Sequence, residues 1–298
     1  MEKLSSILVV IDPRDETRHV VTKAIVLARH FRASLELFLC DSDQIFILRH
    51  AYDCAGIEDA VRACVARGER YLDSIRRSIP EDVAICTHVS AVSPLYDAVV
   101  RRVLESKPDL VIKSAACYHP LQRFTLDAND WQLARACPAP LMLTRGRPWS
   151  PRPAFAAAVD VSEREGIDLA RSILHTAGFL AQGCHAELDV VFSDPEKGDA
   201  AAHVARSETL TRLCDDFQVS SGRLHALCGN AEDTLPKFAA HPPHDVLVLG
   251  ALSRRKDHET LVGTLTSKLM DALKCDFVLV KSDACPCAVA DTAHAATA

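Results

Sequence analysis

The 298-residue chain has no apolar run approaching the roughly 20 residues that cross a bilayer. Its longest runs, such as Ile7–Ile11 and Val246–Leu249, have the length of strands. Met1-Glu2-Lys3 leads into no signal-peptide core, so a cytoplasmic protein with no membrane partner is expected. Glycine and proline are sparse, at 11 and 15 residues, which excludes collagen-like and low-complexity architectures. Gly-x-x-x-x-Gly-Lys-(Ser/Thr) and Gly-x-Gly-x-x-Gly are both missing, which removes the usual NTPase loop and the dinucleotide fingerprint. Gly-x-Ser-x-Gly, the turn that presents a hydrolase serine, is missing too.

An excess of basic charge is also lacking. The formal net charge is −6 and the 34 Lys and Arg residues are dispersed, so no nucleic-acid partner is expected. No C-x-x-C pair exists, and Cys285-Pro-Cys287 and His241-Pro-Pro-His244 match no familiar zinc spacing. Cysteine itself is plentiful at 12, but Cys40, Cys86, Cys137, Cys228 and Cys275 lie singly inside apolar segments. They read as buried free thiols in a reducing compartment. Cys117-Tyr-His119 has no orienting acid beside it, and the lone His88 and His175 are assigned no role.

What is present is a repeat. An apolar run ending in Asp occurs as Ile7–Ile11-Asp12 and again as Phe155–Val159-Asp160. A polar turn and an amphipathic helix (17–31 and 164–182) follow each, then a strand (34–40 and 185–192), and then a long helix (58–78 and 200–217). Strands 83–89 and 222–228, helices opening at Pro94 and near Ala231, and the apolar strands 109–112 and 245–249 continue the parallel. A last helix and strand (141–144 and 277–280) close each half. Apolar strands alternating with helices predict a doubly wound α/β fold, with a five-stranded parallel sheet in each half.

Arg145-Gly-Arg-Pro-Trp-Ser-Pro-Arg-Pro153 allows neither helix nor central strand. It sets the expected division: domain 1–148, domain 149–283, and an Ala-rich flexible tail 284–298.

In such sheets ligands bind beyond the carboxyl ends of the strands where strand order reverses. In the second half the fourth strand ends in Gly250, and the loop Ala251-Leu-Ser253-Arg254-Arg255-Lys256-Asp-His258-Glu-Thr-Leu-Val-Gly263-Thr264-Leu265-Thr266 follows. Glycine admits a ligand close to the backbone, and Gly263-Thr264 at a helix start would offer free amides and hydroxyls to phosphate. The plainer alternative is that Gly250 only ends a strand and Thr264 or Thr266 only caps a helix. In the first half the same place reads Lys113-Ser-Ala-Ala-Cys117, without glycine, so no such site is expected there.

Gly250-x2-Ser253-x9-Gly263-Thr264 resembles the ATP-binding pattern of the universal stress protein family, with Ser253 in place of that pattern's second glycine. The resemblance extends over the whole chain as a tandem pair. Asp130–Pro140 in the first half, and Leu261–Thr264 with Leu273–Lys281 in the second, also carry it. It implies that Asp160 faces the ribose and adenine, that the backbone at Val191 meets the adenine, and that Gly250 and Gly263 to Thr266, Leu265 included, hold the phosphates; Ser253 in the same loop weakens that hold, and Arg254 with its basic neighbours offsets this by attracting phosphate. It also implies ATP, with or without Mg²⁺, as ligand, and a homodimer. Asp257 and Glu259 are the only carboxylates in the loop, so binding without efficient turnover is expected. The alternatives are a slow ATPase or phosphotransfer enzyme, or a nucleotide-free scaffold.

Overall fold

The structure, a computed structural model, describes residues 1, 3–13, 18–50, 56–115, 128–161, 167–194, 200–217, 221–251, 253–254, 260–261, 269 and 273–281. The first half runs β1 (Ser6–Ile11), α1 (Arg18–Phe31), β2 (Ser34–Leu39), α2 (Ser42–His50), α3 (Ile57–Arg76), β3 (Ile85–Val89), α4 (Leu95–Ser106), β4 (Leu110–Ser114), α5 (Ala128–Ala136) and β5 (Leu141–Thr144). The second runs β6 (Ala154–Ala158), α6 (Ile167–Gly183), β7 (Glu187–Asp194), α7 (Ala200–Asp216), β8 (Leu224–Cys228), α8 (Ala231–Ala240), β9 (Val246–Gly250), β10 (Ser253–Arg254), β11 (Thr260–Leu261) and β12 (Asp276–Val280).

Ten of the strands form one sheet in the order β3-β2-β1-β4-β5-β12-β9-β6-β7-β8. Every neighbouring pair is parallel except β5–β12. Each half is therefore the expected five-stranded parallel sheet. What the repeat did not reveal is that the two sheets merge. The reason lies at their edges: β5 and β12 are wholly buried strands, and left alone each would leave a row of unpaired backbone groups and apolar side chains in water. Phe277, Val278 and Leu279 pair instead with Leu143, Met142 and Leu141.

The strand period of two divides the core into two layers. Ile7, Val9 and Ile11 of β1 join Phe155, Val246 and Val278 on one face, and Leu8 and Val10 join Ala156, Leu247 and Phe277 on the other. Both layers run uninterrupted from one half into the other. Helix α1 shows how a face is chosen, for Val20, Val21, Ala24, Leu27 and Ala28 recur at three- and four-residue spacing and are buried. Its far end meets the far end of α6, where the ring of Phe31 stacks on Phe179 at 5.0 Å between centroids. Gly183 makes room for that ring, since a Cβ there would lie 2.0 Å from Phe31 Cζ.

The linker between β5 and β6 is held by two buried carboxylates. Asp276 Oδ1 accepts from the Arg145 amide at 2.6 Å and Oδ2 from Trp149 Nε1 at 2.7 Å, while Lys23 Nζ of α1 lies 2.9 and 2.7 Å from the two oxygens. Asp245 accepts from the Ser150 amide and hydroxyl and from the Ala154 amide at 2.7–3.2 Å.

Two details depart from expectation. Helix α2 was not foreseen: only Ser42 and Ile45 are buried, and Phe46 and Ile47 are 54% and 61% exposed, so no apolar stripe announces it. Cys86 and Cys228 are exposed rather than buried, because they lie on β3 and β8, the two edge strands, where covering is thinnest. Cys40, Cys137 and Cys275 are buried and free as expected.

Candidate functional site

In the second half the chain passes from β6 to β7 and β8 on one side and returns to β9 on the other, so strand order reverses between β6 and β9. β6 and β9 run parallel, with Phe155 opposite Val246 and Ala157 opposite Val248, so their carboxyl ends lie on the same side of the sheet. Gly250, the last residue of β9, and the exposed Asp160, two residues beyond the end of β6, are therefore both at the carboxyl ends of these neighbouring strands.

The other predicted residues are placed less simply. Val191 lies inside β7, fully buried, and its carbonyl oxygen already accepts the Val159 amide at 3.0 Å. Ser253 and Arg254 form β10, which pairs antiparallel with β11 as a short hairpin, Ser253 opposite Leu261 and Arg254 opposite Thr260. Gly263, Thr264, Leu265 and Thr266 lie outside the described residues, as do Asp257, Glu259 and the tail cysteines. A Cβ at Gly250 would come within 2.9 Å of Leu169 Cδ2 on α6. The glycine therefore lets α6 pack closely over the strand end, whatever else it admits.

The first half fills the equivalent place with side chains. Strand β4 pairs with β1 so that Val10 faces Lys113. Lys113 is buried, its Nζ 2.7 Å from Oδ1 of the buried Asp130 and donating to the Ser114 carbonyl at 3.0 Å. Ser114, which corresponds to Gly250, has its hydroxyl 3.0 Å from His19 Nε2. A buried pair of opposite charges answers itself, so Lys113 carries no uncompensated charge for a phosphate. Lys113 and Asp130 could be seen in the sequence only as a polar residue ending an apolar strand and an acid in the last helix.

A second polar cluster sits at the amino ends of β7 to β9. Asp189 accepts from His225 Nε2 at 2.9 Å and from His244 Nε2 at 3.0 Å, with Arg223 at 3.4 Å. Burial pushes the Asp189 carboxyl up, but the hydrogen bonds from His225 and His244 and the charge of Arg223 outweigh it and hold the group below its ordinary value. His244 is thus a buried partner of Asp189, whereas His241 is exposed. Among the described residues no three His, Cys, Asp or Glu side chains converge on a metal position. No helix there is long and apolar enough to cross a membrane.

Comparison with known proteins adds to this geometry. The sequence model of the universal stress protein family matches residues 3–145. Universal stress protein E of Escherichia coli K12 is 22% identical over 309 aligned residues, covering 95% of this chain and 96% of that protein. A universal stress protein E homolog from Haemophilus influenzae is 23% identical, covering 94% and 98%. Among solved structures, a functionally unknown protein from Pseudomonas aeruginosa PAO1 superposes with a TM-score of 0.75 at 23% identity, covering 95% and 94%. A universal stress protein from Archaeoglobus fulgidus superposes at 0.68 with 10% identity, covering 93% and 98%. These structural likenesses establish the fold.

Proposed function

From the premise that this chain carries a universal stress protein domain and is similar to universal stress protein E along its length, we propose that it binds an adenine nucleotide in its second half and does not turn it over efficiently. The observation that carries this reading is the contrast between the two switch points. In the second half β9 ends in Gly250 and β6 leads to the exposed Asp160 at the same end of the sheet, whereas in the first half β4 ends in Lys113, paired with the buried Asp130, and Ser114, bonded to His19. Asp160 supplies acceptor oxygens of the kind that hold ribose hydroxyls, and the spacing Gly250-x2-Ser253-x9-Gly263-Thr264 supplies the phosphate loop. ATP is the proposed ligand, with Mg²⁺ where the phosphates need it, and the proposed working form is a cytoplasmic homodimer acting in stress response.

The test is a calorimetric titration of nucleotide-stripped protein with ATP and Mg²⁺, with ADP and AMP for comparison. One site per chain, lost in Gly263→Asp with the fold retained, is the expected result. No heat at millimolar ATP would favour a second reading, a nucleotide-free scaffold in which Gly250 exists to admit Leu169.

A further inference from the structure

On the α1 side of the first half an open groove of about 600 Å³ lies between that helix and the linker. The volume is in the range of small-molecule sites, roughly 300–1,000 Å³. One wall is the row Arg18, Thr22, Val26 and His30, four residues apart along one face of α1, with His19 and Lys23 beside it. The other wall is the linker, which contributes Trp149 and the prolines 148, 151 and 153.

Three properties of this groove bear on what it holds. Its second wall is fixed before any ligand arrives. Three prolines limit the linker's backbone, and Asp276 and Asp245 tie down the Arg145 amide, the Trp149 indole and Ser150. Among the described residues every ionisable side chain lining it is basic, although the chain as a whole carries a net charge of −6. Of these, Lys23 is neutralised by Asp276 and His19 is engaged by Ser114, whereas the exposed Arg18 guanidinium has no partner among the described residues. The remaining lining is largely apolar and flat: an indole, three pyrrolidine rings and Val26.

We infer that this groove binds a small organic anion with a flat apolar body, an aromatic carboxylate or sulfonate, with Arg18 meeting the charged group and Trp149 and its neighbouring prolines packing against the ring. A guanidinium presents two parallel N–H donors to a carboxylate, and an indole and proline rings suit a planar apolar face. The site is separate from the β6–β9 crevice and does not depend on nucleotide binding there.

The experiment is a calorimetric titration of the full-length protein with 2-naphthoate, and with 2-naphthamide as its uncharged counterpart. The acid is expected to bind once per chain and more tightly than the amide. Arg18→Gln should raise the dissociation constant of the acid about ten-fold and leave that of the amide unchanged. Arg18 is exposed and has no partner among the described residues, so this variant keeps its fold, which far-UV circular dichroism verifies. Val26→Trp, which fills the groove from the α1 wall, should abolish binding of both compounds. Equal affinities for acid and amide, an unchanged constant in Arg18→Gln, or binding that survives in folded Val26→Trp would each overturn the inference. So would displacement of naphthoate by saturating ATP, which would put both ligands in the other crevice.

Discussion

Asp276→Asn is an isosteric change at the seam between the halves, and its consequence can be worked from four contacts. Both carboxylate oxygens of Asp276 act as acceptors, and every partner is a donor: Lys23 Nζ, the Arg145 amide and Trp149 Nε1. An asparagine turns one oxygen into an NH₂ group that must then face a donor on whichever side it points. It also takes from the buried Lys23 ammonium the carboxylate it contacts, leaving only the more distant charge of Asp245, a loss of the kind that destabilises by about 3–5 kcal/mol. The lower end applies, about 3 kcal/mol, because burial already pulls the Lys23 pKa below the ordinary lysine range against the pull of Asp276, so the amine can shed its proton instead. Urea unfolding at pH 7, followed by tryptophan fluorescence and by far-UV circular dichroism, measures the loss. Lys23→Met added to Asp276→Asn removes that charge and should recover at least about 1 kcal/mol. If Asp276→Asn unfolds within about 0.5 kcal/mol of the parent, or Lys23→Met gives no recovery, the seam is not held as described.

Three further outcomes follow from the structure. Gly183→Ala drives a methyl into the Phe31 ring and should lower stability by about 1–3 kcal/mol, an effect that shrinks when Phe31→Leu is present, both read from urea midpoints. Asp189 has a folded pKa below its unfolded value of about 3.9, so its contribution is present above that pH and is lost as pH falls through the folded value. Asp189→Asn should therefore lower the unfolding midpoint at pH 7 and flatten the acid limb of a stability–pH curve. Among the described cysteines, Cys228 should react quickly with a thiol reagent in the native protein at pH 8, and Cys86, exposed but with its thiol pushed up by partial burial and by Glu36, more slowly, as mass spectrometry of labelled peptides would show. Cys40, Cys184 and Cys275, which burial pushes up to about 12, and Cys214, pushed to about 11, should wait for unfolding, and rapid native labelling of any of these four would contradict their burial.

Much of each half was legible because the strands announce themselves. Leu141–Thr144, Val246–Leu249 and Phe277–Val280 are apolar on both faces, which only a covered parallel sheet requires. The repeat of an apolar run ending in Asp12 and Asp160 fixed the common order of elements. The merging of the halves was not legible, because an edge strand's partner leaves no periodic trace: β5 reads the same whether it faces water-excluding loops or β12. Lys23 carried a signal that can be recognised only afterwards, a lysine on the buried face set by Val20, Ala24 and Leu27. Gly250 and Asp160 could be read as the residues that end two apolar runs, while the Lys113–Asp130 pair at the first half's counterpart depends on two residues 17 apart meeting in space. The groove beside α1 was invisible for the same reason, since Arg18 and Trp149 are brought together only by the folded linker.

The antiparallel pairing of β5 with β12 lies within one polypeptide. Two separate chains joined in this way would part on dilution, and their association would follow protein concentration. Here a tether of residues 145–153 holds the two edges together, and so short a link sets a local concentration in the millimolar range at any dilution. A symmetric pair of identical chains must also change both of its sites with every substitution. Carried on one chain, the two halves are free to diverge, so that one strand end could exchange its glycine for a serine and set a buried ion pair beside it while the other kept the glycine.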